Sequence, residues 1–155
     1  NECELKEVKK LLLEMNEATA TAISNGDLPK GTCKSVGVIS YYAEQVKRID
    51  RLIEQLHIPH LHIRTGSVDK FQGMEMDVII VSMVRNHNGQ GDIGFAKDYR
   101  RLNVALSRAR ELLICVGSTE MFTKHAKKKE TRAMYQHVLD EVKRQDGYRL
   151  VGGAE

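Results

Sequence analysis

The first constraints on this sequence are absences. It holds no run near the ~18 apolar residues that a membrane span needs. It also shows no basic-then-apolar leader of the secretory kind. Neither a span nor a membrane partner is expected, and a cytoplasmic setting is. Cysteine is scarce: Cys3, Cys33 and Cys115 have no pairing or metal-site spacing, which argues against a disulfide framework and fits a reducing compartment. Cys115, inside the apolar run LLICVG, is expected to be a small buried thiol. Excess charge of one sign is also small, with 24 basic against 21 acidic residues and a net charge of +3. That balance does not by itself indicate nucleic acid, because the field that matters depends on clustering. No internal repeat and no low-complexity linker divides the chain.

The 155 residues, 41% hydrophobic and 29% charged, suffice for one globular domain over residues 1–155 and are too few for two ordinary ones. The opening NECELKEV starts within a helical pattern and without Met, so the chain is expected to be a piece of a longer protein. Leu5, Val8, Leu11, Leu12 and Met15 recur at helical spacing and predict an amphipathic helix, which NGDLPKGTC ends. SVGVIS (Ser35–Ser40) predicts a strand, YYAEQVKRIDRLIEQLH a helix, HLHIRT a strand, and DVIIVSMV (Asp77–Val84) the most apolar strand. A glycine-rich loop, RNHNGQGDIGFAKD, follows. YRRLNVALSRAR reads as a helix, ELLICVG as a strand, STEMF as a capped turn, and Thr131–Gln145 as a last helix. GYRLV is expected to close as a final strand. Strands that alternate with helices, and that are continuous apolar runs rather than alternating ones, predict a three-layer α/β sandwich around a mostly parallel sheet.

Ligands of such sheets bind at the carboxyl ends of the strands. Three polar segments are expected there: TGSVDKFQGMEMD (Thr65–Asp77), the glycine-rich loop, and the helix carrying LNVALSRAR. In the last of these Leu102, Ala105, Leu106 and Ala109 form an apolar stripe. Arg108 stands on its shoulder near Arg101, rooted by the core with its tip able to leave the domain, and Arg110 lies on the other side. An arginine so placed either solvates a helix end or reaches across a gap to a strong anion.

These segments carry a specific resemblance. SVDKFQGMEMDVIIVSMVR followed by GFAKDYRRLNVALSRARELLICVG resembles motifs V and VI of superfamily 1 helicases, and is most similar to the group of the eukaryotic nonsense-mediated-decay helicase and its bacterial relatives. VGVISYYAEQVKRI is similar to the segment at motif IV. The resemblance covers roughly Ser35 to Gly117. It implies a RecA-like fold of the P-loop NTPase type, serving as the second (C-terminal) motor domain of an ATP-dependent DNA or RNA helicase or translocase.

What the resemblance implies can be assigned residue by residue. Arg108 matches the arginine finger that reaches the γ-phosphate of ATP held by the first RecA-like domain, a task suited to the planar donor fork of guanidinium. Glu75 matches the glutamate that accepts hydrogen bonds from the ribose hydroxyls. Gly73 lets backbone approach the nucleotide or adopt positive φ, and Gln72 shares that loop. Ser67 matches the start of motif V, facing the bound strand, where a hydroxyl can bond a phosphate without reading sequence. Asp69, beside it, reads as an acceptor that orders the loop. Arg85 and Tyr41, at ends of strands, either contact single-stranded DNA or RNA or cap the sheet. Met74 departs from the arginine that many relatives carry.

Other patterns carry less. His57, His60 and His62 lack the further ligands and supporting shell of a metal site, and no metal is assigned. HVLDE imitates a Walker B ending but sits within helical periodicity. KHAKKKETR reads as a solvated connection, with a phosphate-backbone contact as the other reading. GxxxxGK[ST] is absent and no strand ends in a metal-binding Asp-Glu pair, so the Walker A and Walker B parts are missing. ATP and Mg²⁺ are therefore expected as cofactors of the complete protein, completed by a first RecA-like domain, and this chain alone is expected to hydrolyse ATP negligibly. The alternative is a nucleic-acid-binding α/β module without a motor.

Overall fold

A computed structural model describes residues 2–84, 99–118 and 129–151. The chain runs α1 (Glu2–Ser24), β1 (Lys34–Ser40), α2 (Ala43–Glu54), β2 (Leu61–Gly66), a 3-10 turn (Val68–Phe71), β3 (Met76–Ser82), α3 (Tyr99–Leu106), β4 (Ala109–Val116) and α4 (Lys129–Arg144). The strands form one sheet in the order β2-β1-β3-β4. Every pairing is parallel, with Val38 opposite Thr65 and Ile80, and Ile80 opposite Ile114.

Side-chain alternation sorts the sheet into two faces. Val36, Val38, Val78 and Ile80 point to one face, which α1 covers with Val8 and Leu12 and α2 covers with Ile49. Ile39, Ile79 and Val81 point to the other, packed against Val68 and Phe71 of the turn, Ala105 of α3 and Tyr135 of α4. The result is the expected three-layer α/β sandwich, consistent with a RecA-like domain. Central strands β1 and β3 are buried on both faces and read as unbroken apolar runs, whereas edge strands β2 and β4 keep exposed positions. Burying a side chain such as Leu12 contributes about 2 kcal/mol, so α1 is held by this stripe more than by intrinsic helix propensity.

The structure differs from the sequence expectation at two places. The helix expected through Arg110 ends at Leu106, and Ala109 opens β4. Pairing with β3 captures these residues: Met76 N–H donates to the Arg108 carbonyl at 3.0 Å, and Ala109 continues as the strand partner of Met76. GYRLV forms no strand. Gly147 N–H donates to Val142 O at 2.9 Å and Asp146 takes φ 56°, which turns the chain off α4. Beyond that turn Lys143 sits 5.0 Å over the Tyr148 ring and Arg149 pairs with Glu14 at 3.8 Å. Cys115 lies on edge strand β4 opposite the buried Val81, and burial pushes its thiol up to about 11. Among the described residues no helix is long and apolar enough to cross a membrane.

Candidate functional site

The Thr65–Asp77 segment is built around a buried anchor. After β2, Lys70 N–H donates to Ser67 O at 3.1 Å, Gln72 N–H to Asp69 O at 3.3 Å and Met74 N–H to Phe71 O at 3.1 Å. Phe71 is fully buried over Gly37 of β1, where an added Cβ would lie 2.7 Å from Phe71 Cε1 and 2.6 Å from Ile79 Cδ1. A side chain at 37 would therefore lift the turn off the sheet. Gly73 takes φ +78° with open space around it, so its role is conformational. Gln72 and Glu75 are exposed on either side of it. Position 74 is not arginine, yet a guanidinium borders the loop: Arg64 Nη1 of β2 lies 2.8 Å from Met74 Sδ.

Glu75 and Arg108 come together. Each immediately precedes a strand, β3 or β4, and the bond from Met76 N–H to Arg108 O stitches the two approaches side by side. Arg108 is half-buried, and its Nε donates to Val104 O at 3.2 Å, gripping the last turn of α3. Among the described residues its terminal amines and the Glu75 carboxylate have no side-chain partner. The backbones of Arg108 and Glu75 are thus neighbours at the entries to β4 and β3, one residue carrying a guanidinium rooted through Nε and the other an exposed carboxylate.

Arg110 is differently employed. It extends from β4 to Asp77 Oδ1 at 2.9 Å, and Asp77 is also bonded by Ser35 N–H at 3.0 Å. The Ser35 amide, and then Arg110, hold the Asp77 carboxyl below its ordinary value against the opposing effect of burial. Lys34 and Glu111 pair nearby at 3.0 Å. Arg110 is a strap across the strands, not a free cation.

The expectation that all three polar segments gather at the carboxyl edge is corrected. A connection between parallel strands must run from the carboxyl edge back to the amino edge, so its residues divide between the two. Ser67 follows β2 at the carboxyl edge, whereas Glu75 and Arg108 precede β3 and β4 at the amino edge. At the carboxyl edge Ser67 is half-buried and its side chain does not cap the turn. Tyr41 is 4% exposed and belongs to the core cluster on the face covered by α3 and α4. Arg85 and the rest of the glycine-rich loop, most of STEMF and most of the basic run lie outside the described residues. HVLDE is part of α4. Among the described residues no three His, Cys, Asp or Glu side chains are grouped to hold a metal ion.

A buried carboxylate at the same edge escaped the sequence reading. Glu4 is 5% exposed. Its Oε2 accepts from the Ser82 hydroxyl at 2.6 Å and Val84 N–H at 3.1 Å, while Gln45 Nε2 donates to Ser82 Oγ at 3.3 Å. The available signal was phase: Glu4 is in step with Val8 and Leu12, a charge on the apolar stripe of α1.

With this geometry in place, a family model described as "AAA domain" matches residues 1–120. The chain belongs to the AAA-domain family. Among its relatives this AAA domain is 48% identical over 88 residues to the DNA polymerase alpha-associated DNA helicase A of Saccharomyces cerevisiae, covering 56% of the chain and 12% of the relative. It is 38% identical over 125 residues to the DNA replication ATP-dependent helicase/nuclease DNA2 of Gallus gallus, covering 73% and 12%. It is 43% identical over 84 residues to an ATP-dependent helicase of Methanocaldococcus jannaschii, covering 54% and 12%. These likenesses make it a helicase-family AAA domain that spans 12% of the length of each relative.

Proposed function

We propose that this AAA domain is the second RecA-like motor domain of an ATP-dependent superfamily 1 helicase or translocase. In this reading it contributes Arg108 and Glu75 to an ATP site shared with a first RecA-like domain. The observation that carries the reading is the pairing at the amino edge: Arg108 and Glu75 flank one backbone hydrogen bond of 3.0 Å, with the guanidinium rooted through Nε. Both groups fit the outer part of a nucleotide. The terminal amines of Arg108 suit anionic phosphoryl oxygens, and the Glu75 carboxylate suits two neighbouring hydroxyls. When bound, ATP supplies the phosphoanhydride whose cleavage drives the motor.

Arg108 would stabilise charge as it spreads over the transferring phosphoryl group. Gln72 and Gly73 would shape the loop that brings Glu75 to the sugar. Phosphate cradle and Mg²⁺ ligands would come from the first domain, so this chain alone hydrolyses ATP negligibly in this reading. Ser67 at the carboxyl edge, with Arg85 as a further candidate, would touch the phosphate backbone of single-stranded DNA or RNA, with slight sequence preference. Domain closure and opening with each cycle would change the grip on that strand. The test is Arg108→Ala in the complete protein. ATP hydrolysis should fall by about 10³ or more with single-strand affinity retained, and unchanged hydrolysis would instead leave a strand-binding module without a motor.

A further inference from the structure

The proposed ATP contacts use the amino edge of the sheet, and the opposite edge holds a polar node with no part in them. Ser40 and Ser82 are cross-strand partners ending β1 and β3, and both are fully buried. On Ser82 converge Gln45 from α2 and Glu4 from α1. The Glu4 oxygen that takes the Ser82 hydroxyl also takes Val84 N–H at 3.1 Å. Two helices and the exit of β3 thus meet at the Ser82–Glu4 pair.

Stability alone does not call for a charge here. Burial raises the Glu4 carboxyl above its ordinary value, and bonds from Ser82 and Val84 offset this only in part. An apolar side chain would continue the Val8–Leu12 stripe, and well-packed apolar replacements of buried polar clusters are often no less stable. What the carboxylate adds is a hold on Val84. That residue takes φ 23°, in the positive range that β-branched side chains avoid. Such strain persists where surrounding contacts over-determine it, and it concentrates at working sites.

We propose that Glu4 is a positioning residue: through Val84 N–H it fixes the direction in which the chain leaves β3, and so orients the carboxyl edge to grip the phosphodiester backbone of a single strand. The inference rests on the helicase-domain reading above and deepens it. The partner follows from the edge itself. Parallel sheets bind ligands beyond their carboxyl ends, and a hydroxyl such as that of Ser67 suits a phosphate oxygen.

The test uses the complete protein and three variants, Glu4→Leu, Glu4→Gln and Val84→Gly. Each is measured for melting temperature, affinity for a fluorescent single-stranded oligonucleotide, and affinity for a non-hydrolysable ATP analogue. Glu4→Leu should weaken oligonucleotide binding about tenfold, the worth of one charge-assisted hydrogen bond, with nucleotide affinity within about twofold of the parent protein. Glu4→Gln should restore binding, because one amide oxygen can accept both hydrogen bonds. Val84→Gly relieves the strain, so its melting temperature should hold or rise while strand binding still weakens. If Glu4→Leu does not fold, Val84→Gly decides. Oligonucleotide binding by folded Val84→Gly equal to that of the parent protein overturns the proposal, as does an equal loss of nucleotide and strand affinity. A parent protein that binds no single strand would overturn the helicase-domain reading as well, and that outcome appears in the control before any variant is compared.

Discussion

Arg110 reaches from β4 to the Asp77 carboxylate of β3 at 2.9 Å, whereas Arg108, two residues earlier, donates its Nε to Val104 O at 3.2 Å and, among the described residues, gives its terminal amines to no side chain. Two arginines that look equivalent in LNVALSRAR are thereby separated into a strap between strands and a cation rooted through its Nε. Arg110→Ala should leave ATP turnover of the complete protein within about twofold. It should lower the melting temperature by no more than a few degrees, since a half-exposed ion pair contributes at most about 1 kcal/mol. Steady-state hydrolysis and thermal melting of Arg108→Ala and Arg110→Ala side by side check the division. Equal loss of turnover in both would contradict it.

Glu75 makes no ion pair among the described residues, so removing its charge should leave the fold intact. Glu75→Gln keeps the shape but weakens the acceptor. The expected result is a KM for ATP raised about tenfold with kcat little changed, the signature of an interaction made equally in ground and transition states. A fall in kcat at constant KM would instead assign Glu75 to the chemical step.

Gly37 is remote from the amino edge yet supports it. Because a Cβ there would meet Ile79 Cδ1 at 2.6 Å and Phe71 Cε1 at 2.7 Å, Gly37→Ala should destabilise by about 1–3 kcal/mol through overpacking. It should also raise the KM for ATP by displacing the turn that carries Gln72 to Glu75. Denaturant unfolding and nucleotide titration on the same sample test both effects. By contrast Gly73→Ala meets open space, and its cost should be backbone strain of roughly 1 kcal/mol.

Two carboxylates should give opposite pH signatures. Asp77 has a lowered pKa, so its stabilisation is present above the unfolded value near 3.8 and is lost as pH falls through the folded value. Glu4 has a raised pKa, so its ionised form costs stability, and that cost is relieved as pH falls through the folded value toward 4.5. Glu4→Gln should therefore melt higher than the parent protein at neutral pH, with the gap shrinking on acidification. Asp77→Asn should melt lower at neutral pH, with its gap closing below about pH 4. Thermal melts from pH 3.5 to 8 decide both.

The local pattern of the sequence determined the layers. Continuous apolar runs at Val36–Ile39 and Val78–Val81 specify strands covered on both faces, and helical periodicity from Leu5 to Met15 specifies what covers one of them. Burial periodicity is a property of neighbouring residues, so it can be read without coordinates. Residue types in FQGMEMD and LNVALSRAR likewise carried the candidate contacts. What only the tertiary structure decided is which edge each group occupies and which charges are already spent. Arg108 and Glu75 meet because β3 and β4 are neighbours, and a parallel connection returns its last residues to the amino edge. Arg110 is tied because Asp77 lies across the sheet, and Glu4 is buried because α1 packs its first turn against the end of β3. These are contacts between residues 33 to 80 positions apart, set by sheet order and helix docking, which no local spacing encodes.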